Sequence, residues 1–256
     1  DTDSYFTRDS RKKPFMTPEQ LKAEAKKYAE TKEDDGWNAP KFRREHLNED
    51  ITDPEHAVIP DFKVELHVVN EVKMPVFFDC YTFIDFGLVD YTHVLFAYYD
   101  FDIAKLIILD EYVVNYATTK DVAEHIKSKE LSLWGDKKKP TLRVADNEMQ
   151  QIQDLSMVYG IVCAPASKYD SEAAINRLRR LFQDNKILVH SRCKRLISQL
   201  ENGIWNDHRT DYERSKGLGH LDGIDALKYG IRLMDWNKNP YPIIAPSSLE
   251  IAMHGQ

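Results

Sequence analysis

The 256-residue sequence predicts an α/β domain built on one mixed sheet, an antiparallel meander plus parallel strands, flanked by helices. Three observations predict it. Between Val76 and Val114 three apolar, β-rich runs follow one another with only short turns between them, the pattern of an antiparallel meander. From residue 141 onward short apolar runs alternate with helical stretches, which calls for parallel strands with helices on the sheet faces. Hydrophobic residues make up 42% of the chain and aromatics 11%, enough to bury a sizeable core.

Taken in order, residues 1–36 hold nine acids and eight bases, few large apolar groups, and Gly36 at the end. Within them TPEQLKAEAKKYAETK reads as a helix, with Thr17 as N-cap, Pro18 at the first position and Glu19 and Gln20 in the first turn. Its apolar stripe (Leu21, Ala25, Tyr28, Ala29) is thin, so residues 1–40 read as an N-terminal arm or linker. Residues 37–75, punctuated by Pro40, Pro54, Pro60 and Pro75, read as irregular. The meander comprises VFFDCYTFIDFG, a Leu88–Asp90 turn, YTHVLFAYYD and IAKLIILDEYVV. TTKDVAEHIKSKEL is a helix capped by Thr118 or Thr119, and WGDKKKP is a loop. Strands at 141–146, 160–165 and 186–190 then alternate with helices at 148–158, 170–183 and 191–202. A charged loop spans 203–219 and a last helix runs from about His220 to Asp235. The main domain is thus expected over 41–236, with an extended tail at 237–256 carrying Pro240, Pro242 and Pro246. A three-stranded meander, then α/β alternation, then a terminal helix is the ribonuclease H-like layout. Layout alone does not give function.

Charge and cysteine usage narrow the classes. Lys and Arg number 35 against 42 Asp and Glu, a net charge of −7, whereas a generic polyanion binder shows a basic excess; nucleic-acid binding would need a local patch. No apolar stretch approaches the roughly 18 residues of a membrane span, and no secretory signal opens the chain. Cys80, Cys163 and Cys193 form neither a C-x-x-C pair nor an even framework, which favours thiols packed as small apolar groups in a reducing, intracellular setting. A first residue of Asp1 rather than Met reads as a fragment of something longer.

Three acidic positions carry the chemistry. Asp85 closes the apolar run Phe83-Ile84-Asp85-Phe86-Gly87, where an ionisable group is costly unless paired or metal-bound. Asp146 ends the fourth strand. Asp222 and Asp225, at i and i+3, share one face of the last helix, whose buried stripe is Leu221, Ile224, Leu227, Ile231 and Met234. If the first and fourth strands are central neighbours, Asp85 and Asp146 emerge at one sheet edge and the last helix brings Asp225 beside them. Such carboxylates repel and raise each other's pKa unless cations neutralise them, and hard oxygen donors select Mg²⁺ or Mn²⁺. Two such ions could activate a water and stabilise the leaving oxygen of a phosphodiester. Each acid alone has an ordinary reading: N-cap or turn former for Asp146, turn signal for Asp85-Phe86-Gly87, solvated helix face for the pair.

With its flanking sequence the chain resembles the nuclease domain of the large terminase subunit of tailed bacteriophages and the related herpesvirus terminases. Phe42-Arg43-Arg44-Glu45 with Ala57-Val58-Ile59-Pro60 looks like the segment leading out of that family's ATPase domain. Ile84-Asp85-Phe86-Gly87, Asp90-Tyr91-Thr92 and Asp110-Glu111-Tyr112 look like its first three strands. Ala145-Asp146 with Gly160-Ile161 and Lys168 looks like its middle, and Trp205 with Asp222-Gly223-Ile224-Asp225-Ala226-Leu227-Lys228-Tyr229 looks like its end. The resemblance implies a metal-dependent endonuclease that cuts concatemeric double-stranded DNA with little sequence preference. By it Asp85, Asp146 and Asp225 form a catalytic triad on two Mg²⁺ or Mn²⁺ ions, with Asp222 an auxiliary ligand. It further implies an ATPase motor domain, portal and small terminase subunit as partners, and the cytoplasm of an infected bacterium as the place of action. No G-x-x-x-x-G-K-[ST] phosphate loop occurs, so this chain is not itself the motor.

Between Arg177 and Arg195 seven Lys or Arg stand against one acid, Asp184. Arg177, Arg180, Arg192, Lys194 and Arg195, with Lys137 and Lys138 of the loop and Lys168, are candidates for DNA-backbone contact; plain solvation of helix faces explains them equally. Glu111 and Glu148 are possible extra ligands, and His220 a possible proton carrier. Two other functions fit parts of the pattern. An actin- or sugar-kinase-type ATPase shares the sheet order, but its second Asp-x-Gly and its Gly-Gly adenosine motif are missing. A non-catalytic binding module would leave the acids structural.

Overall fold

The computed structural model describes residues 9–12, 16–29, 31, 33–47, 56–87, 91–167, 169, 171–206, 208, 209, 211–213 and 218–236. The expected 237–256 tail and the Leu88–Asp90 turn lie outside them. The chain divides into two compact units, residues 1–58 with 202–213, and residues 59–201 with 214–256.

In the first unit, helix α1 (Pro18–Ala25) starts as its sequence demands: the Thr17 hydroxyl accepts from the Gln20 N–H, and the Gln20 side chain accepts from the Thr17 N–H. Helix α2 (Pro40–Leu47) replaces part of the stretch expected to be irregular. Its Pro40 stands at the first helical position, where the missing N–H interrupts nothing; the residue that reads as a breaker is a helix start. Phe42 and Leu47 bury with Leu21 and Ala25, and Met16, Tyr28, Trp37 and Ala39 pack against them. The thin stripe of α1 is therefore completed by residues beyond 40, and this unit continues past the boundary expected there. Its later pieces join by backbone pairing: Val58 N–H donates to the Gly203 carbonyl and Trp205 N–H to that of His56.

The second unit holds helix α3 (Val64–His67) and a seven-stranded sheet. Its strands are β1 (Val68–Val69), β2 (Phe78–Asp85), β3 (Tyr91–Asp100), β4 (Lys105–Asn115), β5 (Leu142–Ala145), β6 (Ala164–Pro165) and β7 (Ile187–His190), in the order β1-β7-β4-β3-β2-β5-β6. The antiparallel meander β2-β3-β4 forms as expected, with β5 parallel to β2 and β7 parallel to β4. The strand expected at 160–165 shrinks to two residues because its first half terminates a helix. Gly160, at φ 67°, and Ile161 donate back to the Ser156 and Leu155 carbonyls and close the end of helix α5.

Helices cover both sheet faces. Cys80, Ile84, Val94, Phe96, Ile107 and Leu109 bury beneath α4 (Thr119–Trp134) and α5 (Met149–Met157). The three thiols are free and buried, and burial pushes that of Cys80 up to about 11. On the same side Glu130 of α4 accepts from Arg143 Nε (2.8 Å), Arg143 Nη2 (2.6 Å) and the Thr82 hydroxyl (2.8 Å), pinning α4 to β5 and β2. Glu130→Ala strands the Arg143 guanidinium, and urea unfolding should show a loss of about 3 kcal/mol, the scale for breaking a largely buried pair from one side.

The opposite face receives α8 (Asp222–Leu233), which crosses β2, β3 and β5, with α6 (Ser171–Gln183) beside it and α7 (Lys194–Asn202) completing the unit's helices. Two glycines seven residues apart, and so on one face of α8, allow this seat. A Cβ at Gly223 would stand 2.5 Å from His93 Cε1 and 2.6 Å from Gln199 Oε1; one at Gly230 would stand 2.3–2.5 Å from the Phe83 ring.

Candidate active site

The seat of α8 and the ladder between β2 and β5 bring four acids together. Asp85 is the last residue of β2. Asp146 follows β5, and its N–H donates to the Ile84 carbonyl at 2.9 Å, carrying the parallel pairing one step past the strand so that Asp146 comes alongside Asp85. Its carboxylate accepts from the N–H of Asn147, and α5 starts only after Glu148. Asp222 and Asp225 occupy the first turn of α8, where the positive end of the helix dipole favours anions.

All four are buried: Asp85 is 7% exposed, Asp146 5%, Asp222 3% and Asp225 6%. Burial first, and then the charges of Asp225, Asp146 and Asp222, push the Asp85 carboxyl well above the usual carboxylate range, with Lys228 opposing. Asp222 Oδ2 is buried without a hydrogen-bond partner. His220 Nδ1 lies 3.2 Å from Asp222 and 4.0 Å from Asp225. The buried Tyr229 phenol is pushed far up, by burial and then by the same four acids, so it can act there only as a protonated hydroxyl.

Among the described residues no three His, Cys, Asp or Glu side chains stand arranged as a finished metal cage. The donor chemistry nevertheless fits divalent cations. Four buried carboxylates face one lysine, one of their oxygens is unpartnered, and one carboxyl is already driven toward protonation for want of positive charge.

The sequence-predicted basic residues scatter. Lys138 Nζ binds the Phe78 carbonyl and lies 3.6 Å from that ring's centroid, at the start of β2. Asp85 ends this eight-residue strand, about 23 Å away at the usual rise; the Lys137 and Lys138 loop is remote from the acids. Arg177 lies 5.9 Å from the Trp236 ring, and Arg180 is exposed on α6. Arg192, Lys194 and Arg195 follow β7, which runs parallel to β4 and hence ends at the same sheet edge as Asp85. There Arg192 bonds to His190, Arg195 holds the Leu218 carbonyl and lies 5.0 Å from the Tyr91 ring, and Lys194 is exposed. Lys168 lies outside the described residues.

Glu111 is occupied otherwise than as a metal ligand: it accepts from the backbone N–H of Arg195 (2.7 Å) and Leu196 (3.0 Å), capping α7, and pairs with His93 Nε2 at 2.9 Å. Glu148 is exposed. Sequence reasoning passed over Lys228, only 7% exposed, whose ammonium binds Asp225 and Ser171 Oγ. Its i, i+3 spacing from Asp225 was the available signal. It also passed over His93, fully buried opposite Asp85 across the β2–β3 ladder. An isolated strand histidine carries no such signal.

No protein-family model matches the chain. It is 32% identical over 153 residues to the large terminase subunit of Escherichia phage T5, an alignment covering 58% of this chain and 34% of that subunit; the chain spans about a third of the relative's length. Among solved structures it is similar to the full-length large terminase of a thermophilic bacteriophage, with a TM-score of 0.58 and 16% identity over 86% of this chain and 52% of that one. The P22 large terminase nuclease domain superposes with a TM-score of 0.55 and 15% identity over 68% of this chain and 90% of that one. The magnesium-bound large terminase nuclease of another thermophilic phage, G20c, does so at 0.50 and 18%, over 70% of this chain and 98% of that one. The chain is therefore a sequence relative of a phage large terminase subunit and has the ribonuclease H-like fold of the large terminase nuclease domain.

Proposed function

We propose that the chain is the metal-dependent endonuclease domain of a viral DNA-packaging terminase, cutting concatemeric double-stranded DNA with little sequence preference. The observation that carries this reading is the convergence of Asp85, Asp146, Asp222 and Asp225, from three distant parts of the chain, into one buried group. A fold has little reason to bury so many like charges unless cations are to join them.

Asp85, between the others, together with Asp146 and Asp225 and helped by Asp222, would hold two Mg²⁺ or Mn²⁺ ions. When bound, these ions supply a water activated for attack on phosphorus and stabilisation of the departing 3′ oxygen. The protein's own groups do the rest. Rigid β2 and β5 fix two carboxylates, and the first turn of α8 presents the other two. His220, 3.2 Å from Asp222, is placed to carry a proton. Arg192 and Lys194, at the same sheet edge, supply positive charge for a DNA backbone. The net charge of −7 makes DNA binding by this domain weak, so delivery falls to an ATPase motor domain, with portal and small terminase subunit, in the cytoplasm of the infected cell. No helix among the described residues is long and apolar enough to cross a membrane.

The direct test is incubation of supercoiled plasmid with the protein in Mn²⁺, Mg²⁺ or EDTA. Nicking and linearisation with the metals and none in EDTA is the expected result. Intact plasmid with every cation would leave the acids structural and refute the reading.

A further inference from the structure

We propose that Lys228 is a built-in counter-cation that occupies Asp225 in the metal-free protein and must release it when a divalent ion binds, so that metal loading is a competition with a lysine of the same helix. The inference rests on the nuclease reading of the site and deepens it.

A lysine is almost never buried unless it is paired, and Lys228 is buried beside the acids. Its ammonium donates to Asp225 Oδ1 and, at 3.2 Å, to Ser171 Oγ. Its charge also reaches Asp85, whose carboxyl it opposes the other acids in raising. Ser171 is the first residue of α6, the positive end of that helix and a poor place for an ammonium. The lysine is therefore held by the carboxylates rather than by α6. Its i, i+3 spacing from Asp225 makes the contact automatic once α8 forms.

The consequence is a trade. Without metal, Lys228 relieves part of the repulsion among four buried carboxylates. With metal, the same charge repels the incoming cation and holds the Asp225 oxygen that the cation needs. A neutral side chain of similar length should then weaken the metal-free fold while tightening metal binding. A merely structural lysine would weaken both.

Calorimetric titration of Mn²⁺ into the full chain, with thermal melts in EDTA and in Mn²⁺, decides the matter. Lys228→Met should melt lower than wild type in EDTA, bind Mn²⁺ about tenfold more tightly, and gain more in Tm from the metal. Lys228→Gln, which keeps a hydrogen bond to Asp225 without the charge, should fold more like wild type and also bind more tightly. Lys228→Arg should keep wild-type affinity. Mn²⁺ affinity in both neutral variants equal to or weaker than wild type would overturn the proposal. The two readings fail separately: if wild type takes up no Mn²⁺, or Asp225→Asn binds it as well as wild type does, the metal-site assignment is what falls. If wild type binds, Asp225→Asn weakens binding and neither Lys228→Met nor Lys228→Gln tightens it, only the lysine's role falls.

Discussion

Asp85→Asn should abolish metal-dependent plasmid nicking, by at least about 10³-fold, the scale for removing a group that acts directly on developing charge, while leaving the protein folded. The asparagine occupies nearly the same volume at the end of β2, so the ladder to β3 and β5 is undisturbed. It removes one of four buried like charges. Burial and three neighbouring acids push the Asp85 carboxyl up, so its ionised form opposes folding at neutral pH in the absence of metal. The metal-free variant should accordingly melt at or a few degrees above wild type. That combination separates a ligand from a structural residue, whose loss would lower both activity and Tm. Full nicking activity in a folded Asp85→Asn protein would sink the assignment of the site.

Gly230→Ala should be the most damaging small substitution in the sheet-covering helix. In an ordinary helix interior the change gains about 1 kcal/mol. Here the added methyl would stand 2.3–2.5 Å from ring atoms of Phe83, which is fully buried on β2 and has nowhere to move. Lifting α8 or pushing the ring aside should cost about 3 kcal/mol, near the top of the usual overpacking penalty, and should carry Asp222 and Asp225 away from Asp85 and Asp146. Urea unfolding and plasmid nicking should fall together. Phe83→Leu in the same chain makes room and should return a good part of both, a coupling that additive effects cannot produce. If Gly230→Ala were as stable as wild type, the close seat of α8 on β2 would be wrong.

Several features were legible before any coordinates because local pattern encodes them. Period-two and period-3.6 hydrophobicity marked β2, β3, β4, α4, α6 and α8 within a few residues of their observed ends. Order along the chain then made β2 and β5 neighbours, from which the meeting of Asp85 and Asp146 followed. Pro40 misled because proline both opens and breaks helices, and only the burial of Phe42 and Leu47 against α1 tells which. The run at 160–165 misled because composition cannot distinguish a strand from the apolar residues that fold back over a helix end.

Charge was the least legible property. The basic run from Arg177 to Arg195 is continuous in the chain yet divided in space, with Arg177 against Trp236 and Arg195 tied to Leu218 and Tyr91. Lys137 and Lys138 sit at the wrong end of β2 for the acids. Conversely Lys228, an ordinary helix lysine in one dimension, is the cation that touches the site. The types of the elements, their sequence and the identity of the four acids follow from short-range periodicity and residue chemistry, which a chain carries in each window of a dozen residues. The depth at which those acids are buried, the lysine that answers them and the glycines that let α8 descend on the sheet depend on contacts between segments more than a hundred residues apart, and such contacts exist only once the layers have packed.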